Sequence, residues 1–186
     1  MNKLPVYKTE GIILKIADLG ELDRLLTIYS QGYGKIQARA ISVRKPEAKL
    51  KGYLQYFVRG RFLLAKSKTI DIVTDLEVKD SYRFLRVNLK SLAYAFYFSE
   101  LIDKLVVAPE AEQNIWRLVC WAFEVLNQPR KDFSNIRLVF EDKLVEFLGY
   151  SSFSRFGKNQ SAQRLAYLQT LAGKKLDSFK FLSQLN

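Results

Sequence analysis

Apolar and polar residues alternate through the first 80 positions, a pattern typical of β-strands. In the first strand Ile12, Leu14 and Ile16 form one apolar parity, and residues 18–21 then supply a turn. A mostly apolar run over residues 22–29 predicts a second strand, and a glycine-containing reversal leads into a third. These elements predict a small antiparallel β-module.

Two further strands of this module each have a basic face. In the third strand, Lys35 and Arg39 lie on one parity, opposite the apolar residues Ile36, Ala38 and Ala40. In the strand predicted over residues 54–64, Arg59 and Arg61 share a parity with Phe57. Cations beside an aromatic ring can hold unpaired nucleic-acid bases, so Phe57 is the stacking candidate.

Helical spacing replaces strand alternation after residue 79. Apolar residues recur at helical intervals from Leu85 to Phe96, from Ile115 to Leu126, and from Ile136 to a stop at Gly149. Shorter helical patterns follow. The sequence therefore predicts an α+β protein with a β-domain over residues 1–79 and a helical domain over residues 80–186.

Composition removes several classes of enzyme. The chain has 186 residues, a net charge of +11 and no histidine, which excludes Ser-His and Cys-His nucleophile pairs and His-ligated zinc. Its only cysteine, Cys120, forms no intrachain disulfide, and no phosphate-loop motif is present. We therefore predict no catalytic residue and no cofactor. No apolar run reaches the ~18 residues that span a bilayer, and the N-terminus lacks the apolar core of a secretory signal, so we expect a cytoplasmic protein without a membrane partner.

The absence of histidine does not exclude an enzyme whose metal ion is bound by carboxylates alone. Asp71, Asp75 and Glu77 share one parity of the last predicted strand, and the opposite parity is apolar. A half-buried edge strand shows the same pattern on its solvated side. We favour that interpretation and predict no metal site, with a metal-dependent nuclease as the least favoured alternative.

Positive charge is concentrated in the β-module. Ten basic residues and one acid, Glu47, lie between Lys35 and Lys68, whereas acids outnumber bases nine to six between residues 99 and 146. A local basic field with interleaved aromatics suits a nucleic-acid backbone. The DNA-binding candidates are Lys35, Arg39, Arg44, Lys45, Lys49, Lys51, Arg59 and Arg61.

Several stretches match the pattern of one known family. They are TEGIILK, GELDRLLT and GKI near the N-terminus, Val43–Pro46 and Leu50–Phe57 in the basic segment, and Tyr97–Leu105 and Phe147–Tyr150 in the helical half. Together they resemble the bacterial recombination mediator and DNA repair protein RecO over about residues 8–150. The chain departs from the family at Ser42 or Val43, where glycine is frequent, and at Tyr56, where proline is usual. Residues 151–161 lack the four cysteines of the zinc module found in many members, so we expect a member without that module.

The resemblance implies an N-terminal five-stranded OB-fold β-barrel and a non-enzymatic role at the bacterial nucleoid. RecO-like proteins bind single- and double-stranded DNA, anneal complementary strands and bind the acidic C-terminal tail of single-strand-binding protein. With RecR they help to load the RecA recombinase. Such a tail suits an apolar pocket rimmed by cations, for which Trp116, Arg117 and Trp121 are candidates. The alternative function is a stand-alone OB-type binder of single-stranded DNA or RNA.

Overall fold

The computed structural model describes residues 5–129, 133–151, 153 and 161–185. Its first part is a closed barrel in which the strands are ordered β1-β2-β3-β5-β4 and β4 pairs with β1. Neighbouring strands are antiparallel except for the short parallel pairing of β3 with β5. This arrangement confirms the predicted five-stranded OB-fold barrel followed by helices. The strands are β1 (Val6–Leu19), β2 (Asp23–Ser30), β3 (Gly34–Ala40), β4 (Arg59–Ala65) and β5 (Asp71–Asp80).

The barrel interior is aliphatic with one large aromatic, and β-bulges decide which residues reach it. Ile13, Leu26, Ile28 and Phe62 are fully buried in this cluster. A register shift between Ile13 and Lys15 inserts one extra residue into β1, which reverses the side-chain parity beyond it. The prediction that Ile12, Leu14 and Ile16 share one face was therefore wrong, because the bulge places Ile13 and Ile16 in the same cluster.

The connection from β3 to β4, residues 41–58, is longer than predicted. Residues 54–58 precede β4, which begins only at Arg59. The end of this β3–β4 loop is attached to β1, since the Phe57 N–H donates to the Ile13 carbonyl at 2.8 Å and the Ile13 N–H donates to the Val58 carbonyl at 3.1 Å. The basic residues of the loop consequently lie outside the regular strands.

Six helices follow in the described residues. The predicted helix from Leu85 onward is two helices, because Asn88 interrupts it and its side chain accepts from the Ser91 N–H at 2.9 Å as an N-cap. The third predicted helix ends as expected, with Gly149 at a φ of 77°. The helices are α1 (Arg83–Val87), α2 (Leu89–Leu105), α3 (Gln113–Leu126), α4 (Ser134–Phe147), α5 (Ser161–Ala172) and α6 (Asp177–Ser183).

A buried charge network joins α4 to α5. The Arg164 Nε donates to the Glu141 carboxylate at 3.0 Å, and the Tyr97 hydroxyl donates to the same carboxylate at 2.8 Å. Burial raises the pKa of Glu141, and the two arginines Arg137 and Arg164 oppose that rise. The network fixes α5 on the helical core by paired hydrogen bonds.

The chain divides into two compact units. The barrel unit extends through Tyr82 and also includes Ala108–Glu112, whereas the helical unit comprises Arg83–Val107 and the residues from Gln113 onward. The domain boundary after residue 79 stays a prediction, and β5 continues to Asp80. Most of the segment in which the zinc module is expected to be missing, residues 152 and 154–160, lies outside the described residues. Across the described part of the chain, no helix has the length and apolar character needed to cross a membrane.

Candidate nucleic-acid interface

The outer face of β3 carries the predicted basic residues. Gln37 and Arg39 are exposed and Lys35 is half-buried, while Ala38 and Ala40 point into the barrel. The alternation predicted for this strand is confirmed. On the neighbouring strand, the register partners of Lys35 and Gln37 are Tyr29 and Thr27. Both of these partners are buried, whereas Leu25, the register partner of Arg39, is half-buried.

Arg39 has a structural partner at the end of the β2–β3 ladder. Its Nε donates to the Asp23 carboxylate at 2.6 Å, and the Ser42 N–H donates to the other carboxylate oxygen at 2.7 Å. The Ser42 N–H and then the Arg39 guanidinium hold the pKa of Asp23 below its usual value. Arg39 therefore presents a charge that is already partly neutralised.

An acidic segment lies against the other end of β3. The Tyr29 hydroxyl donates to the Glu112 carbonyl at 3.4 Å, and burial raises the Tyr29 pKa to about 12. At Gly34, where φ is +61°, a Cβ would stand 2.0 Å from the Glu110 carbonyl oxygen. The segment Ala108–Glu112 can therefore pack against β3 only because residue 34 is glycine. It brings two glutamates to the end of the strand that carries Lys35.

Arg59 and Arg61 are also paired with carboxylates. The Arg59 Nε lies 2.8 Å from Glu10, and an Arg61 nitrogen lies 3.0 Å from Glu77 on the adjacent strand. Burial alone would raise the pKa of Glu10, but hydrogen bonds from Lys79 and Arg59 outweigh it and lower that pKa. A phosphate at either arginine has to compete with an existing carboxylate partner.

The stacking role predicted for Phe57 is wrong. Phe57 is fully buried and has a φ of 66° in the β3–β4 loop, outside the strand on which its parity was predicted. It does not share the outer face with Arg59 and Arg61, and no face of its ring is open to a base. Sequence reasoning missed Tyr53 in the same loop, which is 55% exposed. The signal available for it was its position two residues after Lys51 in the basic segment.

The β3–β4 loop carries cations of a different kind. Among the described residues, the ammonium groups of Lys45, Lys49 and Lys51 have no carboxylate within ion-pair distance. Arg44, by contrast, lies 3.5 Å from Asp18 and donates to the Gly20 carbonyl at 3.2 Å. Three lysines without a carboxylate partner and an exposed tyrosine lie within nine residues, 45–53, and we call this segment the lysine loop.

The carboxylates considered for a metal site are separated by a second bulge. A register shift in β5 inserts Thr74 between Val73 and Asp75, so Asp71 does not share a face with Asp75 and Glu77 as predicted. Asp71 instead accepts from the Tyr7 hydroxyl at 2.5 Å. In the described ranges no three His, Cys, Asp or Glu residues form a group that could hold a metal ion.

A separate groove of about 290 Å³ lies between α3 and α4 in the helical unit. Arg117 and Trp121 line it as predicted candidates, and Trp121 is 37% exposed. The third candidate, Trp116, is buried in the helical core and does not contribute. The opposite wall comes from α4, whose contribution the sequence analysis missed. Its residues are Val139, Lys143 and Phe147.

Comparison with known proteins decides the family. The family model described as Recombination protein O N terminal matches residues 1–82, and the one described as Recombination protein O C terminal matches residues 86–152. The chain belongs to the RecO family. The resemblance seen in the sequence is thereby confirmed.

Curated relatives extend across both units. The chain is 34% identical over 147 residues to the DNA repair protein RecO of Pelotomaculum thermopropionicum, which covers 79% of the chain and 57% of that protein. It is 35% identical over 144 residues to the DNA repair protein RecO of Moorella thermoacetica, which covers 77% of the chain and 53% of that protein. The chain thus spans a little over half the length of these RecO proteins.

The RecO motifs occupy defined places in the fold. The stretch Tyr97–Leu105 forms the second half of α2, and Phe147–Tyr150 ends α4. The hydroxyl of Tyr56, which lies in the stretch Leu50–Phe57, donates to the Ile16 carbonyl at 2.9 Å. This hydrogen bond connects the β3–β4 loop to β1 through a side chain.

Proposed function

We propose that this RecO-family chain is a non-catalytic DNA repair and recombination mediator that binds single- and double-stranded DNA. In this proposal it anneals strands coated with single-strand-binding protein and, with RecR, helps to load RecA at the bacterial nucleoid. The observation that carries the proposal is the lysine loop, which combines unpaired ammonium groups with an exposed aromatic ring on an OB-fold barrel.

DNA contacts are proposed to centre on this loop. Lys45, Lys49 and Lys51 are available to phosphates without breaking an ion pair, and Tyr53 offers a ring face for one base. The remaining candidates are proposed to contribute less to DNA binding, because each already makes a hydrogen-bonded or charged contact that a phosphate has to displace or share. They are Lys35, Arg39, Arg44, Arg59 and Arg61.

The α3–α4 groove is proposed to bind the acidic tail of single-strand-binding protein. Trp121 and Phe147 supply apolar surface, and Arg117 and Lys143 supply positive charge on the two walls. Lys143 also forms an ion pair with Glu146 at 2.9 Å, at an exposed position where such pairs are weak and easily exchanged. An apolar anchor beside carboxylates matches this combination.

The second candidate function is a stand-alone OB-type binder of single-stranded DNA or RNA. It is supported by the location of every proposed DNA contact in the barrel unit. The two functions differ in whether the helical groove contributes to the activity.

The deciding experiment measures binding and annealing of a fluorescent oligonucleotide, bare and coated with single-strand-binding protein. A mediator binds both forms and accelerates annealing of coated strands. The double variant Arg117→Gln and Lys143→Gln should no longer accelerate annealing of coated strands but should still bind bare strands. The control Lys174→Gln and Lys180→Gln removes the same charge from exposed positions outside the groove and should behave as the parent protein.

Two results would contradict the proposal. Binding to bare strands alone would favour the stand-alone binder. Cleavage of labelled DNA with Mg²⁺ or Mn²⁺, abolished by Asp71→Asn, would show a nuclease instead.

A further inference from the structure

A second concavity lies at the base of the lysine loop, in the barrel unit. It has a volume of about 270 Å³, is open to solvent on one side, and is lined by residues 40–43, 45 and 47–50 and by Val73 of β5. Its walls are aliphatic, with Ile41, Val43 and Leu50 among the contributing side chains. We call it the loop cleft. It is smaller than pockets for drug-sized ligands, which begin at roughly 300 Å³, and its size suits one large side chain.

Charge around the loop cleft is positive. Lys45 and Lys49 line it, and neither ammonium has a carboxylate partner among the described residues. Glu47 also lines the cleft, but the whole β3–β4 loop holds four bases and this one acid. An occupant that carries carboxylates on either side of an apolar group is complementary to both the walls and the lysines.

A nucleotide base suits the loop cleft less well. Base edges carry hydrogen-bond donors and acceptors, whereas the cleft offers mostly hydrocarbon. Ser42 is the one polar uncharged residue of the wall, and its backbone groups already form hydrogen bonds. Its N–H donates to Asp23 and its carbonyl accepts from the Lys45 N–H. A buried base would leave polar atoms unsatisfied, and the wall lacks an aromatic ring for stacking.

We propose that the loop cleft is a docking site for an acidic segment of a protein partner, with one bulky apolar side chain in the cleft and flanking carboxylates on Lys45 and Lys49. The site is separate from the α3–α4 groove and lies on the barrel unit. Because the same lysines are available to phosphates, the partner segment and DNA compete for this part of the loop.

The test uses a fluorescein-labelled decapeptide with a central phenylalanine between acidic residues, amidated at its C-terminus so that it does not mimic a protein tail. Fluorescence polarisation with the full chain should show saturable binding at concentrations up to about 1 mM. Replacement of the phenylalanine of the peptide by glycine should weaken binding by about tenfold or more, because the anchor is lost.

Two kinds of variant locate the peptide. Ala48→Phe fills the cleft and should abolish binding of the peptide. Lys45→Gln with Lys49→Gln should weaken it by about tenfold. The matched control, Lys51→Gln with Lys68→Gln, removes the same charge from exposed residues that do not line the cleft and should change affinity less than about threefold. Circular dichroism of each variant verifies folding, and the lysine variants keep the test valid should Ala48→Phe misfold.

Several outcomes would overturn the proposal. They are absence of binding by the parent protein, equal loss in the two lysine double variants, and indifference to the phenylalanine of the peptide. A further contradicting result is that Ala48→Phe weakens binding of a short oligodeoxythymidylate as strongly as binding of the peptide, which would make the cleft a nucleotide site.

Discussion

The salt dependence of single-strand binding distinguishes lysines of the loop from arginines of the strands. Lys49 and Lys51 have no carboxylate partner among the described residues, so their charge is balanced by mobile anions until a phosphate arrives. Arg59 and Arg61 are balanced by glutamates at 2.8 and 3.0 Å. Exchange of one bound carboxylate for a phosphate changes the number of released ions much less than a new contact does.

The expected magnitudes follow from the number of phosphate contacts. If about five cations meet phosphates, log affinity falls with log salt at a slope near −3.5, which is roughly a hundredfold between 50 and 200 mM. Replacing Lys49 and Lys51 by glutamine removes two such contacts, changes the slope to about −2.1 and reduces that loss to about twentyfold. The double variant Arg59→Gln and Arg61→Gln should change the slope by less than about 0.7.

The assay is fluorescence anisotropy of a labelled oligodeoxythymidylate at a series of salt concentrations, with both double variants at the same net charge. A slope that the arginine replacements flatten as much as the lysine replacements do would refute the reasoning, because paired and unpaired cations would then be equivalent. The double variant of Lys35 and Arg39, expected to flatten the slope by at most ~1.4, places the strand face between these two cases.

Three further predictions follow from single contacts. Tyr53→Ala should weaken single-strand binding by about 1–3 kcal/mol whereas Tyr53→Phe should preserve it, as measured in the same titration. Gly34→Ala should destabilise the protein by more than about 2 kcal/mol in urea unfolding, since its Cβ meets the Glu110 carbonyl and its φ is positive. The control Gly20→Ala, with a φ of +64° and no atom within 4 Å of its Cβ, should cost only about 1 kcal/mol. Asp23→Asn should lower the urea midpoint at neutral pH, and because the folded-state pKa is depressed, this difference should fade as the pH falls below about 4.

The order of elements could be predicted from local pattern. Helical spacing located α3 and α4, and the glycine stop at Gly149 is a property of the chain itself. The parity of β3 was also correct, because that strand is regular over its whole length. The predicted alternation of side chains was wrong in β1 and β5. In each strand one extra residue, Leu14 or Thr74, reverses the face on which all later side chains of that strand lie. A bulge arises from pairing with neighbouring strands, so it is difficult to predict from the sequence of one strand.

For the candidate site too, some features follow from residue identity and others from the folded chain. The family, the basic character of residues 35–68 and the absence of histidine side chains could be read from the amino-acid sequence, because each depends on residue identity alone. Which cations are available to a phosphate became clear from the folded chain, because pairs such as Arg59 with Glu10 join residues 49 positions apart. Folding likewise buried Phe57 and exposed Tyr53, since burial depends on what the folded chain places around a side chain.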